Sequence, residues 1–513
     1  MTSMQRQEGN TYRSVKEPDY GILTYTWGRW PAPGGPHIAI SGTTWTIPAV
    51  KESMFTVESF QNVIRKMGEA HDFAWIDVVC IDQENYDVKM DEIGRQVGIF
   101  NLAARVYLWL WTLPITRLQS ACDEVDYSSG YIYTMDETDR DARTLLKSLD
   151  SSLETLLSDW WFTSLWTLQE GILRPDAILL SREAEHVRIR HSTPYTMMEL
   201  RFVTNAFWNL RCALETDSLR PKDALLNDLG QAVVQRLKRA GYSSDPFSSN
   251  PNMQWGAARW RTASSEQDRV YGIQAIYNIR VGDTAPNAVR RQDRPLSELH
   301  MEFAATINAK SPLLGQMFVH SEPPPSGRTW QLSPNIRVPY EFCSYNDSSR
   351  GTCSITGNPA GDAQIEGQIC FLNDIAQFWN AAVIHRTLGG VYLNVAVDRY
   401  IVQRHPAIYS VPEDLTARDN YITSSNVVNN SAILVDSVLK VFGAGSVSVL
   451  ALGTITIDGD ASHSFGLLLL HTPDDRTRTK RIGICRWFIP DPVQDEPSLF
   501  ESVEWVQHRG SLG

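Results

Sequence analysis

The chain has 513 residues, of which 42% are apolar and 21% charged, and its formal net charge is −12. That length exceeds what one hydrophobic core supports and predicts about two to four folded units. The composition excludes extensive disorder, and the acidic balance excludes an extended interface with nucleic acid or anionic membrane, since either needs a basic surface.

The N-terminal stretch "MTSMQRQEGNTYRSVKEPDY" lacks the apolar core of a secretory signal. The runs "VYLWLW" and "FGLLLLH" have strand length rather than bilayer length, so no membrane span and a cytoplasmic location are expected. The cysteines form no CxxC pair and have no histidine at ligand spacing, which points to a reducing compartment and no structural metal.

Short apolar runs then alternate with helical patterns over residues 18–185: "YGILTYTWG", "VESFQNVIRKMGEAH", "FAWIDVVCID", "MDEIGRQVGIFNLAA", "RVYLWLW", a Trp-rich segment and "DAILLS". This alternation predicts an α/β unit with a parallel sheet covered on both faces. The stretch 114–157 interrupts it. Acidic and turn-rich at "ACDEVDYSSGYIYTMDETDRD", it reads as a surface insertion ending in a helix, and as a candidate mobile cover. A mostly helical region follows over 190–318, with "DRVYGIQAIYNI" its most regular piece. After the prolines of "SEPPPSGRTW", residues 330–513 read as a β-rich region of antiparallel strands, among them "GQICFLNDI", "GGVYLNVAVDRYIV", "VSVLALGTITI", "SFGLLLLHT" and "KRIGICRWFI".

Within the first region, "AWIDVVCIDQ" is apolar on both faces as a strand, which predicts a central one. Asp77 then needs a partner, a backbone hydrogen bond or a nearby ligand, because an unpaired carboxylate is costly there. Asp82 and Gln83 fall at the strand's carboxyl end, where open α/β sheets bind ligands. In the next helix Ile93, Val97, Phe100 and Ala104 form the packing stripe, with Gln96 beside it, tying helix to sheet or shaping a site.

The stretch "FTSLWTLQEGIL" raises a sharper question. Trp161, Phe162, Leu165, Trp166, Leu168 and Ile172 share one broad helical arc, Gln169 falls within it, and Glu170 lies at its edge. Gly171 fits the position that stops a helix, which puts Glu170 in the last turn, against the negative end of the dipole. Two readings stay open: a salt bridge to a cation such as Arg174, or a functional carboxylate with a perturbed pKa. No GxSxG elbow, HExxH zinc site or Walker lysine is present.

Three blocks in order, "YGILTYTWG", then "WIDVVCIDQ" with "EIGRQVGIFNLAARVYLWLW", then "WWFTSLWTLQEGIL", resemble the signature blocks of the fungal heterokaryon incompatibility (HET) domain. The later "RWRTASSEQDRVYGIQAIYNI" resembles the segment that often follows it. Two departures from the pattern are a longer gap before "RQV", near Glu92, and Ser164 where an arginine is common. The resemblance implies an effector of non-self recognition that triggers cell death, acting through self-association or a protein partner. A fainter similarity to TIR domains implies a flavodoxin-like sheet. It also implies that Glu170 takes the place of the catalytic glutamate of NAD-hydrolysing TIR domains, with NAD as substrate rather than cofactor and Tyr25, Trp27, Gly28 and Trp166 lining the pocket. A non-catalytic module that oligomerises or binds a partner is the alternative, and a metabolic enzyme adapted from this scaffold is a third.

Overall fold

A computed structural model describes residues 2–4, 6–26, 34–132, 141–189, 192–199, 224–240, 250–339, 342–343, 345–346, 349–358, 361–377, 392–408, 424–457, 461–488 and 503–513. Its contacts group into two compact units. The first comprises Met1–Leu214, Ser218–Phe247 and Ala257–Leu296, and the second Glu215–Asp217, Ser248–Gly256 and Ser297–Gly513.

The first unit is built on four parallel strands, β1 (Tyr20–Thr24), β2 (Phe73–Trp75), β3 (Arg105–Trp109) and β4 (Ile178–Leu180), in the spatial order β2-β1-β3-β4. Alternation along each strand sorts side chains onto two cores. Ile22, Val106, Leu108 and Leu179 enter one, while Leu23, Tyr107, Trp109, Ile178 and Leu180 enter the other. A sheet buried on both faces in this way is what the run of apolar strands predicts.

Helix α1 (Val57–Gly68) follows β1 and starts at Thr56, whose hydroxyl accepts from the Ser59 N–H. Phe60, Val63 and Met67, at i, i+3 and i+7, are its buried stripe. The strand predicted through "AWIDVVCIDQ" is shorter than expected and lies at the sheet edge rather than its centre. From Asp77 to Cys80 the backbone turns helical: the Cys80 N–H donates to Ile76 O at 2.7 Å and the Ile81 N–H to Asp77 O at 3.0 Å. The Asp77 carboxylate accepts from the Val78 N–H at 2.7 Å and so favours the turn over extension.

Helix α2 (Tyr86–Leu102) is capped by Asn85, which accepts from the Val88 N–H. Its buried stripe is Met90, Ile93, Gln96 and Phe100, so Gln96 lies inside the packed face; Ala104 falls beyond the helix end and is exposed. The stretch read as an acidic, turn-rich insertion contains two helices, α3 (Ile115–Ile132) and α4 (Ala142–Leu156). Leu118, Ala121, Cys122 and Val125 of the first and Leu146, Leu149 and Leu153 of the second belong to the same core as Ile22 and Val106. A helical stripe was hidden there among acidic residues. Helix α5 spans Leu165–Leu173 and helix α6 Ala224–Arg239.

The second unit holds an eight-stranded sheet among its described residues. Its longest strands, β5 (Val447–Ile457), β6 (Ala461–His471) and β7 (Arg478–Phe488), pair antiparallel as the turn signals predict. Among the described residues of "GGVYLNVAVDRYIV", Tyr392–Val397 is strand. Asp398 ends it, and Arg399–Arg404 is helical.

Candidate functional site

Glu170 sits on α5, and Thr24, at the carboxyl end of β1, reaches it. The helix does not stop at Gly171 as its sequence suggests; it continues to Leu173, and Arg174 closes it with an N–H donated to Glu170 O. Gly171 serves packing instead. A Cβ there would lie 2.8 Å from the Trp161 ring, so only glycine lets α5 rest on the indole.

Trp161 is held from two sides. It belongs to a 3₁₀ turn, Trp160–Thr163, rather than to the helix itself. The fully buried Asp159 caps that turn through the Trp161 N–H at 2.9 Å and takes the Thr112 N–H and hydroxyl at 3.0 and 2.6 Å, tying the turn to the chain after β3. Desolvation pushes the Asp159 pKa up, opposed by these donors. The Trp161 indole N–H donates to Thr24 Oγ1 at 2.8 Å, and the Thr24 hydroxyl donates to Glu170 Oε2. Trp161, Thr24 and Glu170 thus form one directed chain of hydrogen bonds at the end of the central strand β1.

The salt bridge to Arg174 is not formed. Arg174 makes a two-pronged pair with Asp176, 2.7 Å on each arm, and donates to the carbonyls of Phe100 and Ala103. Among the described residues no cation forms an ion pair with Glu170. Glu170 is densely surrounded by protein yet keeps some accessible surface, and its pKa is pushed up to about 8. Desolvation is the main cause, the Asp77 charge adds to it, and the Thr24 hydrogen bond opposes both. Near neutral pH the group is therefore poised between acid and carboxylate.

Asp77 and Tyr25 stand on the same side. The Tyr25 hydroxyl lies against Asp77, and burial, then Asp77 and Glu170, hold its pKa well above the ordinary phenol value. The ring of Tyr25 packs among Phe55, Phe60 and Trp109. Gln169, beside Glu170 in sequence, points the other way: its amide donates to Gln96 Oε1 at 3.0 Å and accepts the Ala275 N–H at 3.0 Å, all within the buried interior.

The remaining candidates are placed differently. Trp166 is half-buried and hydrogen-bonds Asp268. Asp82 accepts from the N–H groups of Glu84 and Asn85 at 3.0 and 3.1 Å and borders an open cleft with Asn85, Tyr86, Asp87 and Arg290. Gln83 reaches back to Asp77 O at 3.5 Å. Trp27 and Gly28 lie outside the described residues. Thr24 and Asp159 carry much of the geometry and escape a sequence reading, since a threonine ending a strand and an aspartate before a tryptophan are common features. Among the described residues no three His, Cys, Asp or Glu side chains gather as metal ligands, and no helix is long and apolar enough to cross a membrane.

A Glu170 carboxyl bonded by the Thr24 hydroxyl, with the Asp77 charge in electrostatic reach, suits a positively charged or charge-developing group better than an anion. No curated protein and no solved structure matches the chain. Residues 20–170 match the family model described as Heterokaryon incompatibility protein (HET), from the first residue of β1 to the glutamate itself. The N-terminal part of this chain is a heterokaryon incompatibility (HET) domain.

Proposed function

We propose that the chain is an effector of non-self recognition and regulated cell death whose HET domain hydrolyses NAD, with Glu170 as the reacting carboxylate. The observation that carries this reading is the environment of Glu170: a carboxyl group with a raised pKa, no ion-paired cation among the described residues, and a single hydroxyl donor at the carboxyl end of a central parallel strand. Ligands of open α/β sheets bind at that end, and the spatial order 2-1-3-4 of the four strands is the beginning of the flavodoxin-like order.

In this reading the bond from the ribose C1′ to the nicotinamide nitrogen breaks and its electron pair neutralises the pyridinium. Water attacks C1′, giving ADP-ribose, nicotinamide and a proton. A carboxylate beside the developing oxocarbenium charge stabilises it, as in glycoside hydrolysis. The pyridinium of the incoming substrate also supplies the missing cation, which favours the ionised form of Glu170 as the substrate arrives. Asp77 adds negative potential.

A second reading is favoured by one observation: the Trp161–Thr24–Glu170 chain satisfies the carboxyl internally, as a structural polar network does. Glu170 would then serve the fold of a HET module that acts by self-association or by binding a protein partner. Nicotinamide release from NAD by the purified full chain, with Glu170→Gln as control, separates the two. Release lost in the variant supports the hydrolase; no release from the wild type, with cell death on expression of both proteins, supports the interaction module.

A further inference from the structure

We infer that residues 261–275, downstream of the matched HET residues, form a strap that positions the Glu170 helix, with Gln169 as the residue through which the strap sets the carboxyl against Thr24. The inference rests on the reading of Glu170 as the reacting group.

A helix of nine residues is too short to hold itself, and Ser164 at its N-cap offers no side-chain hydrogen bond. The strap supplies what is missing. Ser164 and Thr262 form a parallel bridge in which the Thr262 N–H donates to Thr163 O at 2.7 Å and the Leu165 N–H to Thr262 O at 2.9 Å. The buried Arg261 donates from Nη1 to the carbonyls of Trp161 and Ser164 at 3.0 and 3.3 Å. One turn on, Asp268 takes the Trp166 hydrogen bond, and Gly272 packs so closely on Leu165 that a Cβ would lie 3.2 Å from Leu165 Cγ.

Ala275 completes the hold. Its N–H donates to Gln169 Oε1, while the other end of the same amide donates to Gln96 on α2. With both ends of the amide committed, the roll of α5 about its axis is fixed. Successive residues project 100° apart, so a roll that freed Gln169 would carry Glu170 away from Thr24. Gln169 is thus a positioning residue that acts through its neighbour, and residues 261–275 belong to the working site although they lie outside the matched span.

The test uses the full chain with ¹³C-carboxyl glutamate, Glu170 being assigned by difference from Glu170→Gln, and compares Gln169→Leu with Arg261→Met, which loosens the strap's other end. Both variants should move the Glu170 titration from its raised position toward the ordinary carboxylate range as water enters. The groups facing it, Asp77 and Tyr25, stay in place. Nicotinamide release should fall about tenfold to a hundredfold in kcat with little change in KM. If Gln169→Leu fails to fold, Arg261→Met and the double variant Gln96→Leu with Gln169→Leu carry the same readout. A titration unchanged in folded variants overturns the strap. A titration that moves while the wild type releases no nicotinamide keeps the strap and overturns the hydrolase.

Discussion

Thr24 and Glu170, 146 residues apart, meet through a hydrogen bond from the threonine hydroxyl to the carboxyl. The same hydroxyl oxygen accepts from Trp161. Thr24→Val keeps the shape and removes both roles. Because the Thr24 hydroxyl stabilises the ionised carboxyl, its loss should raise the Glu170 pKa further above 8. The buried indole N–H also loses its acceptor, at about 1–3 kcal/mol of stability. A ¹³C-carboxyl titration of Glu170 whose midpoint moves to higher pH in Thr24→Val, together with a lower urea midpoint, is the expected outcome.

Glu170→Gln should stabilise the protein in a pH-dependent way. The Glu170 pKa is about 8 in the folded chain against an ordinary 4.5. The folded state therefore binds the proton more tightly than the unfolded state across that window, and wild-type stability falls as pH rises from about 4.5 to about 8. A glutamine does not ionise. Its advantage should be absent below about pH 4.5, grow through the window and level off above about pH 8. Because water still reaches part of the residue, a gain on the order of 2 kcal/mol is expected rather than the full linkage value. Urea midpoints of both proteins at pH 5 and pH 8.5 measure it.

These predictions turn on residues that differ in how visible they were in sequence. The parallel sheet was legible because "YGILT" and "RVYLW" are apolar on both faces, which only a doubly covered sheet tolerates. Glu170 was legible as an anomaly, a carboxylate on an apolar helix. Its partners were not: Thr24 comes from the far side of the matched span, and only the fold brings it close. The run after Trp75 misled, because Val78, Val79 and Ile81 have high strand propensity, while Asp77 supplies a local carboxylate that bonds the following N–H. Gly171 misled in the opposite sense, since a glycine needed for close packing looks the same in sequence as a glycine that ends a helix.

Gly171→Ala tests that packing. Alanine is the better helix former by about 1 kcal/mol. Its Cβ would lie 2.8 Å from Trp161 Cη2, and the indole cannot withdraw without giving up Thr24. Overpacking of this kind costs about 1–3 kcal/mol, so the net effect should be destabilising by up to about 2 kcal/mol. A change in the urea midpoint of the opposite sign would mean that Trp161 is free to move.

In the second unit the decisive pair is Arg481 with Asp398, both fully buried and 3.4 Å apart. Asp398 also accepts the His320 N–H at 2.8 Å, and Arg481 donates to Gln316 Oε1 at 2.8 Å and to Phe318 O. The guanidinium further stacks on the Phe318 ring at 3.9 Å. Desolvation lowers the Arg481 pKa, with Asp398 the main opposing influence. Arg481→Met keeps much of the volume but strands the carboxylate, and breaking a buried pair on one side costs about 3–5 kcal/mol. Adding Asp398→Asn to it removes the stranded charge while keeping an acceptor for His320. The double variant should therefore recover part of the loss, and a chemical denaturation cycle over the four proteins measures the coupling. Recovery would locate the cost in the uncompensated charge; a double variant no more stable than Arg481→Met would place it in the lost bonds to Gln316 and Phe318 instead.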